Sequence, residues 1–219
     1  MKRLYQKPPV WIRKWFPELI WTIPNNNNEV YLTFDDGPDP EVTPRVLDIL
    51  ARHDARATFF CLGRNVEKHP EIFDRIQQEG HAVGNHSYSH LDGWRTGKKR
   101  YVEDVERAAK LIPGTLFRPP YGRIRPIQIK ALKGKYQIVI WDVMSEDFIQ
   151  NVTIEKCLKS IEKFCRTGSV VVFHDTNRTH GQLTTVLPWV IDWFVKKDFQ
   201  FMKLNSYKKM TGKESFIDW

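Results

Sequence analysis

The stretch "VYLTFDDGPDP", residues 30–40, joins an apolar run to two adjacent carboxylates and a turn. Val30 to Phe34 have the continuous apolar character of a strand covered on both faces, as in a parallel sheet. Asp35 and Asp36 stand where that strand ends, and Gly37 and Pro38 fix a turn behind them. Two acids held side by side at a strand end have two readings. They cap the following "PDPEVTP" as an Asx turn, or they serve a site that needs carboxylates in two different roles.

The same alternation continues outward from this stretch. Further strand-like runs are "ARATFF" 55–60, "HAVGN" 81–85, "TLFRP" 115–119, "QIVIW" 137–141, "SVVVF" 169–173 and "FQFMKL" 199–204. Helix signals lie between them. Thr43 reads as a cap with Pro44 at the first helical position, and Val46, Leu47 and Leu50 follow at helical spacing. Other helices are predicted from Pro70 toward Gly80, over 98–110, over 153–167 from Thr153 to Gly168, and over 182–195 with Pro188 as a local fault. Seven β–α units predict an α/β domain with a parallel sheet under helices, a pattern that a barrel and an open sheet satisfy alike. In both, function gathers at the carboxyl ends of the strands. The polar residues fall there: Asp35 and Asp36 after the first strand, His86 after the third, Arg118 at the end of the fourth, Asp142 and Asp147 after the fifth, and His174 after the sixth.

A chain of 219 residues is long enough for one sizeable core, and 41% hydrophobic residues with 27% charged ones is a globular composition. The formal net charge of +8 suits anionic surfaces or polymers. No zinc-finger, RRM or glycine-rich RNA motif accompanies it, so no nucleic-acid partner is expected. Cys61, Cys157 and Cys165 form no disulfide framework. Cys157 and Cys165 on one helix would lie about 12 Å apart, too far to bridge, and free thiols fit a reducing compartment. The basic, aromatic N-terminus has no uninterrupted apolar stretch of signal-peptide length, and no run of about 20 apolar residues occurs. The expected location is therefore the cytoplasm or the inner membrane face. Trp11, Trp15, Phe16 and Trp21 form either an arm packed over the domain or a surface that touches a membrane or partner.

"NHSYSH", residues 85–90, spaces His86 and His90 four apart, so on a helical turn they share a face and can grip one cation. Asp36 can supply an oxygen ligand from another strand end. One acid and two imidazoles leave positions open for water and substrate, as a catalytic centre requires, and suit Zn²⁺, with Co²⁺, Ni²⁺ or Mn²⁺ also compatible. Asp35 then remains as a general base beside the activated water. Arg118 in "FRPPYG" is expected to orient Asp35 through a bidentate pair. The prolines that follow stiffen a turn from which the Tyr121 N–H can meet an oxyanion. His174 in "VVVFHD" is placed as a general acid, with Asp147, or alternatively Asp175, as its partner. His180 lies in a loop that could line the cleft, whereas His53, His69 and His81 read as structural or solvated.

These residues, over roughly 29–204, resemble the polysaccharide deacetylase family, the NodB-homology proteins of carbohydrate esterase family 4. Thr33 to Gly37 match its motif TFDDG, His86 to His90 its H-S/T-x-x-H, and Arg118 to Tyr121 its R-x-P-Y. The resemblance implies a single-domain, distorted, incomplete (β/α)7 barrel. It implies a metal triad of Asp36, His86 and His90, with Asp35 as base, Arg118 positioning it, and Tyr121 in the oxyanion hole. Trp141, Met144, Asp147 and Phe148 stand for the family's W-x-x-D-x-x-D-W, with methionine replacing one acid. Val172, Phe173 and His174 stand for L-x-H, with Val172 as apolar wall. Asp147 matches the residue that tunes the catalytic histidine, and Trp141 and Phe148 the aromatic wall. The implied organisation is an arm over 1–28, a catalytic domain over 29–204 and a tail over 205–219. The implied activity is hydrolysis of N-acetyl groups on an acetylated carbohydrate. An O-acetyl esterase and a degenerate, non-catalytic sugar-binding domain are the alternatives.

Overall fold

The structure is a computed structural model and describes residues 7–147, 153–177 and 182–204. Its first strand, β1 (Glu29–Asp35), is the central one. Along β1 the side chains alternate. Val30, Leu32 and Phe34 enter the outer core under the helices, while Tyr31, Thr33 and Asp35 face the barrel interior. Both faces are covered, so the run reads apolar, and only the interior residues turn polar toward the carboxyl end.

β2 (Thr58–Cys61), β3 (Ala82–Asn85), β4 (Leu116–Phe117) and β5 (Gln137–Ile138) extend the sheet on one side of β1. β7 (Val170–His174) and β6 (Val143–Met144) extend it on the other, and β8 (Gln200–Phe201) pairs with the start of β1. Among the described residues, every pairing between these strands is parallel. β5 and β6 do not pair with each other. The result is a distorted, incomplete (β/α)7 barrel. On its open side the N-terminal segment bridges Ile20 to Val139 and Thr22 to Ser169. The Ile23 N–H donates to the Gly168 carbonyl (2.8 Å), and Leu19 and Ile23 are buried in the core.

The outer layer holds α2 (Thr43–Arg52), α3 (Gly63–Lys68), α4 (Pro70–Gln78), α5 (Lys98–Ala109), α6 (Pro126–Leu132), α7 (Ile154–Phe164) and α8 (Gln182–Lys196); α1 (Val10–Trp15) precedes the sheet. Val46, Leu47 and Leu50 of α2 are buried at helical spacing against the outward residues of β1. Phe34 stacks between Phe59 and Phe173, at 4.9 and 5.6 Å.

Several local expectations are corrected. Thr43 is the first helical residue, not the cap; its hydroxyl accepts from the Asp39 N–H and donates to Asp175, while Asp39 accepts from the Glu41 and Val42 N–H groups. Thr153 does cap α7, accepting from Lys156 N–H. The run 137–141 ends as a strand at Ile138, and the two-residue β6 follows unannounced, since so short an element leaves no period to read. α3 and α6 were likewise too short to announce themselves. Cys61, Cys157 and Cys165 are free. Residues 205–219 lie outside the described residues.

Candidate active site

The site grows from the pleat of β1. Thr33 and Asp35 share the interior face with Val172 and His174 of β7, their register partners. Between them lies Arg118, completely buried just past β4. One of its terminal nitrogens donates to Thr33 Oγ1 and Asp35 Oδ1, both at 2.7 Å, and the other donates to the Ile140 carbonyl at 2.8 Å. The guanidinium also covers the Phe60 ring at 4.1 Å. The expected bidentate pair is therefore a single bond, because the other donors are taken up by Thr33 and backbone carbonyls. Asp35 consequently keeps Oδ2 off the arginine, 4.0 Å from His86 Nε2.

Asp36 and the histidines meet by a different route from the one expected. Residues 86–90 are irregular rather than helical. Ser87 and His90 adopt left-handed backbone at φ 66° and 61°, which folds the loop tightly enough to bring both imidazoles to Asp36. Asp36 Oδ1 lies 3.1 Å from His90 Nε2 and 3.6 Å from His86 Nε2. The loop is held by groups the sequence did not single out. Asp104 of α5 accepts from the Tyr88 and Ser89 N–H groups (3.0 and 2.9 Å), and Asn85 Oδ1 accepts from Ser87 N–H (2.7 Å). Asp36 (φ 80°), Tyr121 (61°) and Glu146 (65°) are also left-handed. Strained backbone of this kind persists where surrounding contacts over-determine it, and it gathers at functional sites.

The orphaned groups fit a metal. Asp36 Oδ1 is buried without a hydrogen-bond partner, and one ligand atom from each of Asp36, His86 and His90 lies within 4.8 Å of the others. His86 Nδ1 is engaged by the Arg118 carbonyl at 2.8 Å, which leaves the Nε2 side for coordination. Burial pushes the His86 pKa down to about 4 against the pull of Asp35, so the ring is neutral, as a ligand must be. Burial alone would raise the Asp36 pKa, but the neighbouring His90 and His86 imidazoles hold it well below the usual carboxylate range.

Across the rim, His174 Nδ1 meets Asp147 Oδ1 at 3.1 Å, and its backbone N–H donates to Oδ2 at 2.8 Å. Ser145 Oγ donates to the same carboxylate (2.7 Å). Burial works against the imidazolium, but Asp147 outweighs it and the pKa rises to about 9. Asp147, rather than Asp175, is thus the partner of His174. Asp175 turns away to receive the Thr43 hydroxyl (2.6 Å) and the Gly37 N–H (3.2 Å), and burial pushes its carboxyl well up. It braces the turn behind the two acids: a β-carbon on Gly37 would sit 2.2 Å from Asp175 Oδ2.

Tyr121 is exposed, its ring edge-on to His90 at 4.5 Å. Gly122 behind it packs against Trp141, which supports the turn from below. Val172 is wholly buried one pleat beneath His174. Phe148 and His180 lie outside the described residues. Asp142 is not on this rim. It sits at the amino end of β6 and β7, bonded to Arg13 and to Ser169 Oγ (2.6 Å). His81 is structural, its Nδ1 accepting from Ala57 N–H (3.2 Å), while His53 and His69 lie beside Asp192 and Glu71 away from the site.

A half-barrel with this constellation at the carboxyl ends of its strands invites comparison with known proteins. Residues 22–135 match the sequence model of the family described as Polysaccharide deacetylase. A peptidoglycan-N-acetylglucosamine deacetylase of Bacillus cereus is 32% identical over 195 residues, which is 85% of this chain and 91% of that protein. The crystal structure of the Bc1960 peptidoglycan N-acetylglucosamine deacetylase, in complex with 4-naphthalen-1-yl-N-oxidanyl-benzamide, superposes with a TM-score of 0.80 at 34% identity, covering 91% of this chain and 95% of that one. A mutant of BA3943, described as a CE4 family pseudoenzyme with restored enzymatic activity, has a TM-score of 0.78 at 25% identity, covering 85% of this chain and 70% of that one. The chain belongs to the polysaccharide deacetylase family.

Proposed function

We propose that the protein is a metal-dependent hydrolase that removes N-acetyl groups from an amino-sugar glycan and releases acetate. The observation that carries this reading is the pairing of an orphaned Asp36–His86–His90 cluster with a second carboxylate whose Oδ2 faces it. Relatives named as peptidoglycan-N-acetylglucosamine deacetylases support the substrate class.

Asp36 Oδ1 and the Nε2 atoms of His86 and His90 would hold the ion. A bound Zn²⁺, or Co²⁺, Ni²⁺ or Mn²⁺, supplies Lewis-acid activation of water and of the acetyl carbonyl. Asp35 takes the water's proton on Oδ2 while Arg118 holds Oδ1, so that the base cannot rotate away from the cluster. The left-handed turn at Tyr121 presents its backbone N–H to the developing oxyanion. His174, kept protonated by Asp147, gives its Nε2 proton to the departing sugar nitrogen. Water loses one proton to Asp35 and the amine gains one from His174; exchange with solvent returns Asp35 to the carboxylate and His174 to the imidazolium, and the acetic acid formed ionises to acetate. Trp141 and Val172 back the pocket that receives the acetyl methyl.

Acetate release from N-acetylglucosamine oligomers, measured with and without added zinc and in parallel with acetylated xylan, tests this reading. Zinc-stimulated release from the oligomers is the expected result. Release from xylan alone would make the protein an O-acetyl esterase. Sugar binding without release from any acetylated substrate would make it a non-catalytic relative.

A further inference from the structure

The N-terminal arm splits into a part that belongs to the barrel and a part that does not. Residues 19–23 are bridged into the open side of the sheet. α1, just before them, is anchored differently. Its Arg13 bonds to buried Asp142, while Val10, Trp11, Lys14 and Trp15 point outward together. Val10, Trp11 and Trp15 are 62, 55 and 72% exposed on one face of a helix whose Ile12 and Arg13 turn inward. Three large apolar side chains in water on so short a helix mark a contact surface.

The charge around that face indicates what it contacts. Lys7 and Arg166 stand 4.0 and 3.7 Å from Asp142 beside Arg13. Lys163 covers the Phe164 ring at 5.2 Å, and the Lys7 amine donates to the Phe164 carbonyl. Lys14 lies on the exposed face itself, and Lys7, Arg13 and Arg166 gather round the buried Asp142 that anchors the helix. Residues 1–28 carry five of the basic side chains and one acidic one, so they hold +4 of the chain's +8. Tryptophan and lysine side by side on an amphipathic face suit the headgroup region of an anionic bilayer. A sugar-stacking platform is less well served, because the Trp11 and Trp15 rings are inclined at 73° and offer no common plane.

The anchor also sets an orientation. Asp142 bonds to Ser169, just before β7 begins, whereas His174 closes that strand. Five residues of strand separate the two, about 16 Å at 3.3 Å per residue. We propose that the amino-end face carried by α1 docks on an anionic lipid surface, so that the catalytic rim is directed away from the bilayer.

Vesicle flotation of the full chain tests this. Wild type should float with phosphatidylglycerol-containing vesicles and at least tenfold less with pure phosphatidylcholine. Trp11→Ser with Trp15→Ser, and separately Lys14→Glu, should each reduce flotation at least fivefold, with circular dichroism and acetate release from soluble oligomers unchanged. In vesicles of brominated lipid, quenching of tryptophan emission should persist in Trp94→Phe and fall by more than half in Trp11→Phe/Trp15→Phe. Absence of wild-type flotation would overturn the proposal. So would retention of an insoluble glycan that depends on Trp11 and Trp15 without vesicle binding, and bromolipid quenching carried by Trp94 would overturn the orientation.

Discussion

Two buried aspartates, one at each end of the barrel, each face an arginine. At the amino end, Asp142 spends one oxygen on Arg13 and the other on Ser169, and both lone-pair sets are engaged. At the carboxyl end, Asp35 gives Oδ1 to Arg118 and turns Oδ2 toward His86 across 4.0 Å. The residue types are the same and both acids are buried, although Arg118 is completely buried and Arg13 only partly. The difference lies in what is left unmade: saturation makes Asp142 a fastener, and the uncommitted oxygen makes Asp35 available for chemistry.

The sharpest way to break this contrast is to neutralise each acid in turn. Asp35→Asn should lower acetate release by about 10³-fold with metal content near wild type, and because it leaves the buried Arg118 without its counter-charge it should also lower the melting temperature. Near-normal turnover would remove the base assignment. Asp142→Ala should act the other way, costing about 3 kcal/mol of stability in a denaturant titration because it strands Arg13. Turnover per folded molecule should stay within about threefold on oligomers, since the change touches nothing on the rim. A loss of turnover at full stability would contradict the fastener role.

The parallel sheet was legible because β1 is apolar on both faces, and the site because Asp35, Asp36, His86, Arg118 and His174 each stand at or just past the end of a strand. The geometry that joins them was not legible. The His86–His90 spacing suggested a helical turn, but left-handed Ser87 and His90 form a loop tied down by Asp104, a residue 14 positions further on. Asp142 looked like a rim residue because the two-residue β6 that separates it from Asp147 was not visible in the sequence. Thr43 looked like a cap because a side chain at the end of the neighbouring strand β7, Asp175, was not in view. Local pattern specifies elements, and long-range hydrogen bonds specify what their ends do.

The His174–Asp147 pair sharpens the comparison through pH. A histidine whose folded pKa is raised from 6.5 to about 9 contributes its ion-pair stabilisation fully below 6.5 and loses it as pH rises through about 9. As general acid it should impose an alkaline limb on kcat near the same value. Asp147→Asn should move that limb down by at least one pH unit, and an unmoved limb would assign the proton to another group. The smallest effects are expected at two glycines, again one at each end. A β-carbon would sit 2.2 Å from Asp175 Oδ2 at Gly37 and 2.1 Å from the Ile23 carbonyl at Gly168, where φ is 81°. Gly168→Ala should cost about 1–3 kcal/mol of stability, with kcat retained. Gly37→Ala should cost a similar amount but also reduce kcat, by displacing Asp35 and Asp36 together. Equal kinetics in the two variants would erase the distinction between the ends.

Anomalous diffraction from zinc-soaked crystals is the most direct measurement of all. One peak at about 2.0–2.2 Å from Asp36 Oδ1, His86 Nε2 and His90 Nε2 is expected, with Asp35 Oδ2 outside the coordination sphere. No peak at those three atoms, or one that also takes Asp35 as a ligand, would contradict the account.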